Sequence, residues 1–143
     1  MRQAYRNIRR ESVLYKVEMW ISLGLRAGAE LENLCTFFGE MSLPMRPLVG
    51  ETISFHQDRT SSLSFHKCVP FGATAEVNMV TVEVDSISHY GVRDDDGLPL
   101  FRTHVMCDRI DVPSLEDAKV IRVILEDQFG MEIDPYAINI LDR

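Results

Sequence analysis

A chain of 143 residues with three cysteines and a formal net charge of −7 has the size of one domain that can fold without disulfide bonds. It opens with no secretory signal pattern, and charged residues interrupt its apolar runs well short of the ~20 residues that a membrane span requires. These features argue against a disulfide-rich secreted protein and a membrane protein, so we expect a cytoplasmic location.

The charge is unevenly distributed along the chain. Four arginines give the first ten residues a charge of +4, whereas the remainder carries 11 basic and 22 acidic residues. We therefore interpret 1–12 as a basic N-terminal arm and 13–143 as a single α+β domain. Because nucleic acids are bound mainly by Lys and Arg side chains that neutralise phosphates, the acidic body disfavours a nucleic acid partner. It favours another protein, in particular a basic one.

Two segments of regular structure follow the arm. Between Val13 and Leu25 the odd-numbered positions are apolar and several even-numbered ones are polar, which predicts a β-strand. After a break at 26–28, apolar residues recur at i, i+3, i+4 and i+7, which predicts an amphipathic helix that ends at Gly39. These residues are Leu31, Leu34, Cys35 and Phe38. The short length of the segment leaves a second strand as the alternative.

Two hairpins are predicted in the middle of the chain. A loop with two prolines, 43–50, leads to a strand at 51–56, and the turn-rich segment 58–62 leads to a partner strand at 63–69. A longer hairpin occupies 76–112. Its first strand alternates valines with polar residues, and an Asp-Gly pair marks its turn.

A helix is predicted near the C-terminus. Ser114 is a natural N-cap, the residues after it form a broad apolar face, and Gly130 is placed to end the helix. So wide an apolar face requires burial against a sheet. The predicted fold is therefore a curved, mainly antiparallel β-sheet of five or six strands, which could close into a small open barrel, packed against one helix at about 114–129. The apolar tail 136–141 is expected to pack back as a strand or a turn of helix.

The same C-terminal segment resembles a known family. Ser114-Leu-Glu, followed by Leu125-Glu-Asp-Gln-Phe-Gly-Met-Glu-Ile133, looks like the helix of an acyl carrier protein, where an Asp-Ser-Leu motif carries phosphopantetheine. The resemblance implies that Ser114 is the attachment site. It covers 114–133 alone, has Pro113 where the motif has Asp, and follows predicted strands where the family has a helix. Helix capping and amphipathicity account for the same residues, so we predict no cofactor.

The polar face of the shorter hairpin is the candidate site. Both strands contain a His-x-ligand pair, and alternate residues of a strand point to the same side. His56, His66 and Cys68 therefore share one face, and Asp58 joins them if the first strand continues that far. We predict that these residues contact a ligand or a partner. No metal is predicted, because the chain lacks the Cys-x-x-Cys and His-Glu-x-x-His spacings.

No motif in the chain names a reaction. Glycine-rich phosphate loops and a Gly-x-Ser-x-Gly elbow are missing, the run Asp94–Asp96 suits an exposed turn better than a calcium loop, and each cysteine is interpreted as a small core residue. We therefore expect a small acidic protein-binding or inhibitory module, comparable to immunity proteins in size and charge, without catalysis. The alternative is an enzyme or a small-ligand or metal-binding protein that uses the His56/His66/Cys68 face.

Overall fold

The computed structural model describes residues 14–56 and 79–142, which form one curved sheet and one helix. The strands are β1 (Tyr15–Ala27), β2 (Glu30–Leu43), β3 (Thr52–His56), β4 (Met79–Arg93), β5 (Pro99–Cys107), β6 (Ile110–Val112) and β7 (Glu132–Ile133). Their order across the sheet is β3-β4-β5-β1-β2-β7, with β6 also paired to β1. The helix, α1 (Leu115–Val123), continues as a π-helical turn, Ile124–Gln128. The predicted α+β class with a C-terminal helix is confirmed.

The central strand β1 behaves as its alternation predicts. Its odd-numbered residues from Val17 to Leu23 are buried, and its even-numbered residues lie on the outer face of the sheet. β1 pairs with β2 in an antiparallel hairpin but runs parallel to β5 and β6. The sheet is therefore mixed, because these two parallel pairings stand beside four antiparallel ones.

The predicted helix at 31–38 is wrong, because this segment is part of β2. A tight turn with Gly28 at a φ of 64° returns the chain along β1. A β-bulge opposite Leu23 then brings two consecutive residues, Leu34 and Cys35, to the buried side. Apolar neighbours of this kind imitate the i+3, i+4 spacing of a helix. Phe38, which the helix would have placed with them, lies on the outer face and stacks on Trp20.

The loop 43–50 delivers β3, as predicted, and β3 pairs antiparallel with β4, with Ile53 opposite Val82. The sequence did not indicate this pairing. The partner strand predicted at 63–69 lies outside the described residues, as does the arm. The long hairpin predicted at 76–112 is confirmed as β4 and β5 over 79–107, and its turn follows Asp94, where Gly97 has a φ of 78°. Its predicted end at 110–112 is wrong, because these residues form β6 beside β1.

The C-terminal segment closes the core against the sheet. The Ser114 hydroxyl accepts a hydrogen bond from the Asp117 backbone N–H at 3.2 Å, so it is the N-cap of α1. Ser114 thus has a structural role that explains the acyl-carrier-like pattern. Gly130 ends the helical segment with a φ of 67°. The tail forms no strand or helix over 136–141, but it packs back as predicted, with the Ile140 N–H donating to the Leu34 carbonyl at 2.8 Å.

Candidate functional site

The predicted histidine face is represented in the described chain by His56 alone. His56 is exposed at the end of β3, opposite Met79, whereas the neighbouring Phe55 is buried and packs edge-on against Phe129. The alternation predicted for this strand is therefore confirmed. The other three candidates, Asp58, His66 and Cys68, lie outside the described residues. Their convergence with His56 stays a prediction.

A different histidine makes polar contacts on the outer face of the sheet. His104 Nε2 lies 3.0 Å from a Glu18 carboxylate oxygen, and the Tyr90 hydroxyl donates to the same oxygen at 3.3 Å. Because a carboxylate only accepts, His104 must carry its proton on Nε2. Burial, followed by the charge and hydrogen bond of Glu18, raises the pKa of Tyr90 above its ordinary value, so the phenol remains a donor at neutral pH.

Four rings form a row across β4, β5, β1 and β2 at this position. The Tyr90 and His104 ring centres are 4.3 Å apart, those of His104 and Trp20 5.8 Å, and those of Trp20 and Phe38 5.1 Å. The Trp20 indole N–H is buried and has no hydrogen-bond acceptor in the described parts of the chain. The row is partly buried and stabilises the outer face. Sequence reasoning missed it, because only the parallel pairing of β1 with β5 brings Glu18 to His104.

The tip of the long hairpin, residues 91–102, is exposed at every position except the partly buried Val92. β5 pairs with β1 only from His104 to Met106, and β4 pairs with β3 only up to Glu83. The tip strands are therefore bonded only to each other among the residues that the structure describes. Three large apolar side chains are exposed here, Leu98 at 61%, Leu100 at 43% and Phe101 at 73%.

The turn at the end of this hairpin is held in one conformation by its own hydrogen bonds. Asp94 Oδ1 accepts from the backbone N–H groups of Asp96 and Leu98, at 2.9 and 2.8 Å, and Arg93 donates to the Gly97 carbonyl at 3.0 Å. The carboxylates of Asp95 and Asp96 have no partner among the described residues. The tip therefore combines an ordered backbone, apolar side chains and two carboxylates that are available for contacts.

The cysteines that the structure describes are core residues, as predicted. Cys35 is buried, and burial raises its pKa to about 11. Cys107 is half-buried beside the core, and burial, assisted by Asp108, raises its pKa to about 12. Thiols with such pKa values are protonated at neutral pH and make poor nucleophiles. The third cysteine, Cys68, falls in the undescribed segment.

The described residues contain neither a metal-binding cluster nor a membrane-spanning helix. No group of three or more His, Cys, Asp or Glu side chains in 14–56 and 79–142 is placed to hold a metal ion. No helix in these ranges is long and apolar enough to cross a membrane. Comparisons of the chain with protein-family models, with curated proteins and with solved structures found no match.

Proposed function

We propose that this protein is a small acidic protein-binding or inhibitory module and that the tip of the β4–β5 hairpin is its docking element. The observation that carries the proposal is the exposure of Leu98, Leu100 and Phe101 on an ordered hairpin that extends beyond its neighbouring strands. Leu100 and Phe101 are consecutive residues of β5 and therefore point to opposite faces, so a partner that encloses the tip would contact an apolar side chain on each face.

The polar groups of the tip favour a basic partner. Asp95 and Asp96 stand beside the apolar side chains without an ion pair inside the described chain. The described residues as a whole contain 19 Asp and Glu against eight Lys and Arg, a net charge of −11. Such a field attracts a positively charged protein and accelerates its association, while the apolar side chains supply contact area once the partner has arrived.

The tip is also suited to binding without a large ordering cost. Its turn is fixed by the hydrogen bonds of Asp94, and the Phe101 ring lies against Gly91, where a Cβ atom would stand 3.5 Å from the ring. A partner would therefore meet a preformed surface, which reduces the entropy lost on binding. Inhibitory modules exploit this property when a rigid loop fills the site of their target.

Affinity capture from native extract tests the proposal through two matched variants. The first combines Asp95→Asn, Asp96→Asn and Phe101→Ser and leaves Asp94 in place, because Asp94 holds the turn. The second combines Glu30→Gln and Glu32→Gln, which removes two charges from exposed positions at the far end of the β1–β2 hairpin. We expect a protein that is retained by the wild type and by the second variant at low salt but is lost by the first.

The salt dependence gives the same experiment a second measure. Retention that falls as salt rises indicates electrostatic attraction, because salt screens charges beyond a Debye length of about 10 Å at 0.1 M. If the wild type and the tip variant retain the same proteins in equal amounts, the hairpin tip is not the docking element. If the Glu30 and Glu32 variant loses the partner as completely as the tip variant does, net charge and not the tip determines binding.

A further inference from the structure

A cavity of about 240 Å³ opens on the core side of the sheet, at the end that α1 does not cover. Its floor includes Val17 from β1, Ile87 from β4 and Thr103 from β5, which lie on the same face as the buried Val105. The helical segment makes most of its contacts with the sheet on β1, β3 and β6. No residue of the helical segment lines the cavity, so among the described residues this end of the core face is open to a ligand.

The loop 44–50, which we call the strap, forms the other wall of the cavity. It connects the end of β2 to the start of β3, at opposite sides of the sheet, and is anchored by a hydrogen bond of 2.9 Å from the Gly50 N–H to the Val84 carbonyl. Pro47 is the one buried residue of the strap and lines the cavity together with Arg46. The wall is therefore apolar inside and basic at its rim.

The charged side chains that the structure describes around this cavity have one sign. Lys16 and Arg46 line it together with His89, and none of the described lining residues is an Asp or Glu. This is unexpected in a body where acidic residues outnumber basic ones by more than two to one. His89 Nδ1 lies 2.8 Å from the Thr103 hydroxyl. With that hydroxyl as donor, Nε2 carries the proton and can donate to a ligand.

Lys16 and Arg46 form no hydrogen bond or ion pair with other residues that the structure describes. Five of its eight Lys and Arg residues hydrogen-bond to a carboxylate, a hydroxyl, an amide or a carbonyl oxygen: Arg26, Arg93, Arg102, Arg109 and Arg122. The three without a partner in 14–56 and 79–142 are Lys16, Arg46 and Lys119. Two of these three line the cavity, so no acidic residue in the described ranges neutralises its positive potential.

A second cavity is lined by a basic side chain that is already paired with acidic and amide groups. It measures about 330 Å³ and is also lined by an arginine, Arg109. The guanidinium group of Arg109, however, already donates to Asp111 at 2.8 Å and to Asn33 at 3.2 Å. An anion in that cavity would have to compete with a carboxylate, whereas an anion beside Arg46 would not.

We infer that the cavity under the strap is a binding site for a small carboxylate with an apolar body, such as an aromatic or short aliphatic acid. The apolar floor receives the body, and Arg46 and Lys16 at the rim receive the carboxylate. The volume lies below the range of about 300–1,000 Å³ that is usual for drug-sized ligands, so the ligand is small. This site is separate from the hairpin tip and does not depend on the proposed docking function.

The test is a titration of the isotopically labelled full-length protein with benzoate, followed by backbone amide shifts in NMR spectra. We expect saturable shifts at Val17, Ile87 and Thr103, which line the cavity. Benzamide has the same shape without the charge, and we expect it to bind much more weakly. Arg46→Gln should weaken benzoate binding about fivefold, as expected for a partly exposed ion pair.

Lys119→Gln is the matched control, because it removes a positive charge that also has no partner among the described residues but lies on α1, away from the cavity. It should leave benzoate binding unchanged. Three results would overturn the inference: shifts that do not saturate or do not map to the cavity, equal binding of benzamide, or an equal loss in Arg46→Gln and Lys119→Gln. None of these results bears on the hairpin tip, whose test uses different variants.

Discussion

The base and the tip of the β4–β5 hairpin are built from the same two strands but differ in what surrounds them. At the base, Val84 and Val105 are at most 1% exposed and lie in the main core. At the tip, Leu98 and Phe101 are more than 60% exposed, although the strand pairing is regular from Ser86 and Met106 to Arg93 and Pro99. Regular hydrogen bonding therefore does not depend on burial here.

This difference indicates where the chain is constrained by folding and where it is not. The base supplies apolar contacts to the core, so its sequence alternates as an amphipathic strand must. The tip gains no such burial, yet it carries the large apolar residues Leu98, Leu100 and Phe101. A solvent-exposed edge with apolar side chains is a liability that proteins usually avoid. Its presence at an ordered tip is what a docking role would require.

The largest expected effect on stability comes from a substitution that creates an empty space in the core at the base of the β4–β5 hairpin. Val105→Ala removes two methyl groups from a fully buried position opposite Ile87, and we expect a loss of about 2 kcal/mol in the free energy of unfolding. Urea denaturation measures this loss. Val92→Ala makes the same chemical change in the tip part of β4, where the side chain is only partly buried, and should cost clearly less. Equal losses would mean that base and tip are not energetically distinct.

The sequence predicted the parts of the fold that depend on local pattern. The alternation in β1 and β4, the Asp-Gly turn and the Ser114 cap each follow from a few neighbouring residues. The segment 31–38 was predicted wrongly for an equally local reason. The bulge opposite Leu23 makes two consecutive residues, Leu34 and Cys35, face the core. The strict alternation of buried and exposed residues that identifies a strand is therefore broken at this point.

The arrangement of the sites could not be predicted, because it depends on which strands are neighbours. Glu18 reaches His104 only through the parallel pairing of β1 with β5, and Arg46 reaches the cavity only because the strap crosses the sheet. Contacts between residues so far apart in the sequence leave no local pattern. The exposure of the hairpin tip was hidden for the same reason, since it follows from where the neighbouring strands end.

An intermediate effect is expected at alkaline pH from the thiol at the base of the hairpin. The folded-state pKa of Cys107 is about 12, compared with 9.0 ordinarily, because burial disfavours the thiolate. A pKa raised by folding contributes stability that is complete below pH 9.0 and is lost as pH rises toward about 12. Cys107→Val removes this contribution, so its urea midpoint should fall less steeply with pH. Parallel pH profiles for the variant and the wild type would contradict the burial of this thiol.

The smallest expected effect on stability comes from the tip itself. Phe101→Ser removes a ring that is 73% exposed and lies against Gly91, so the free energy of unfolding should change by only about 0.5 kcal/mol. The same substitution belongs to the variant that is expected to lose the protein partner. A folded Phe101→Ser protein with an unchanged urea midpoint would therefore separate recognition from folding within one hairpin. A loss comparable to that of Val105→Ala would instead show that the tip contributes to the core, and its exposed side chains would need no functional explanation.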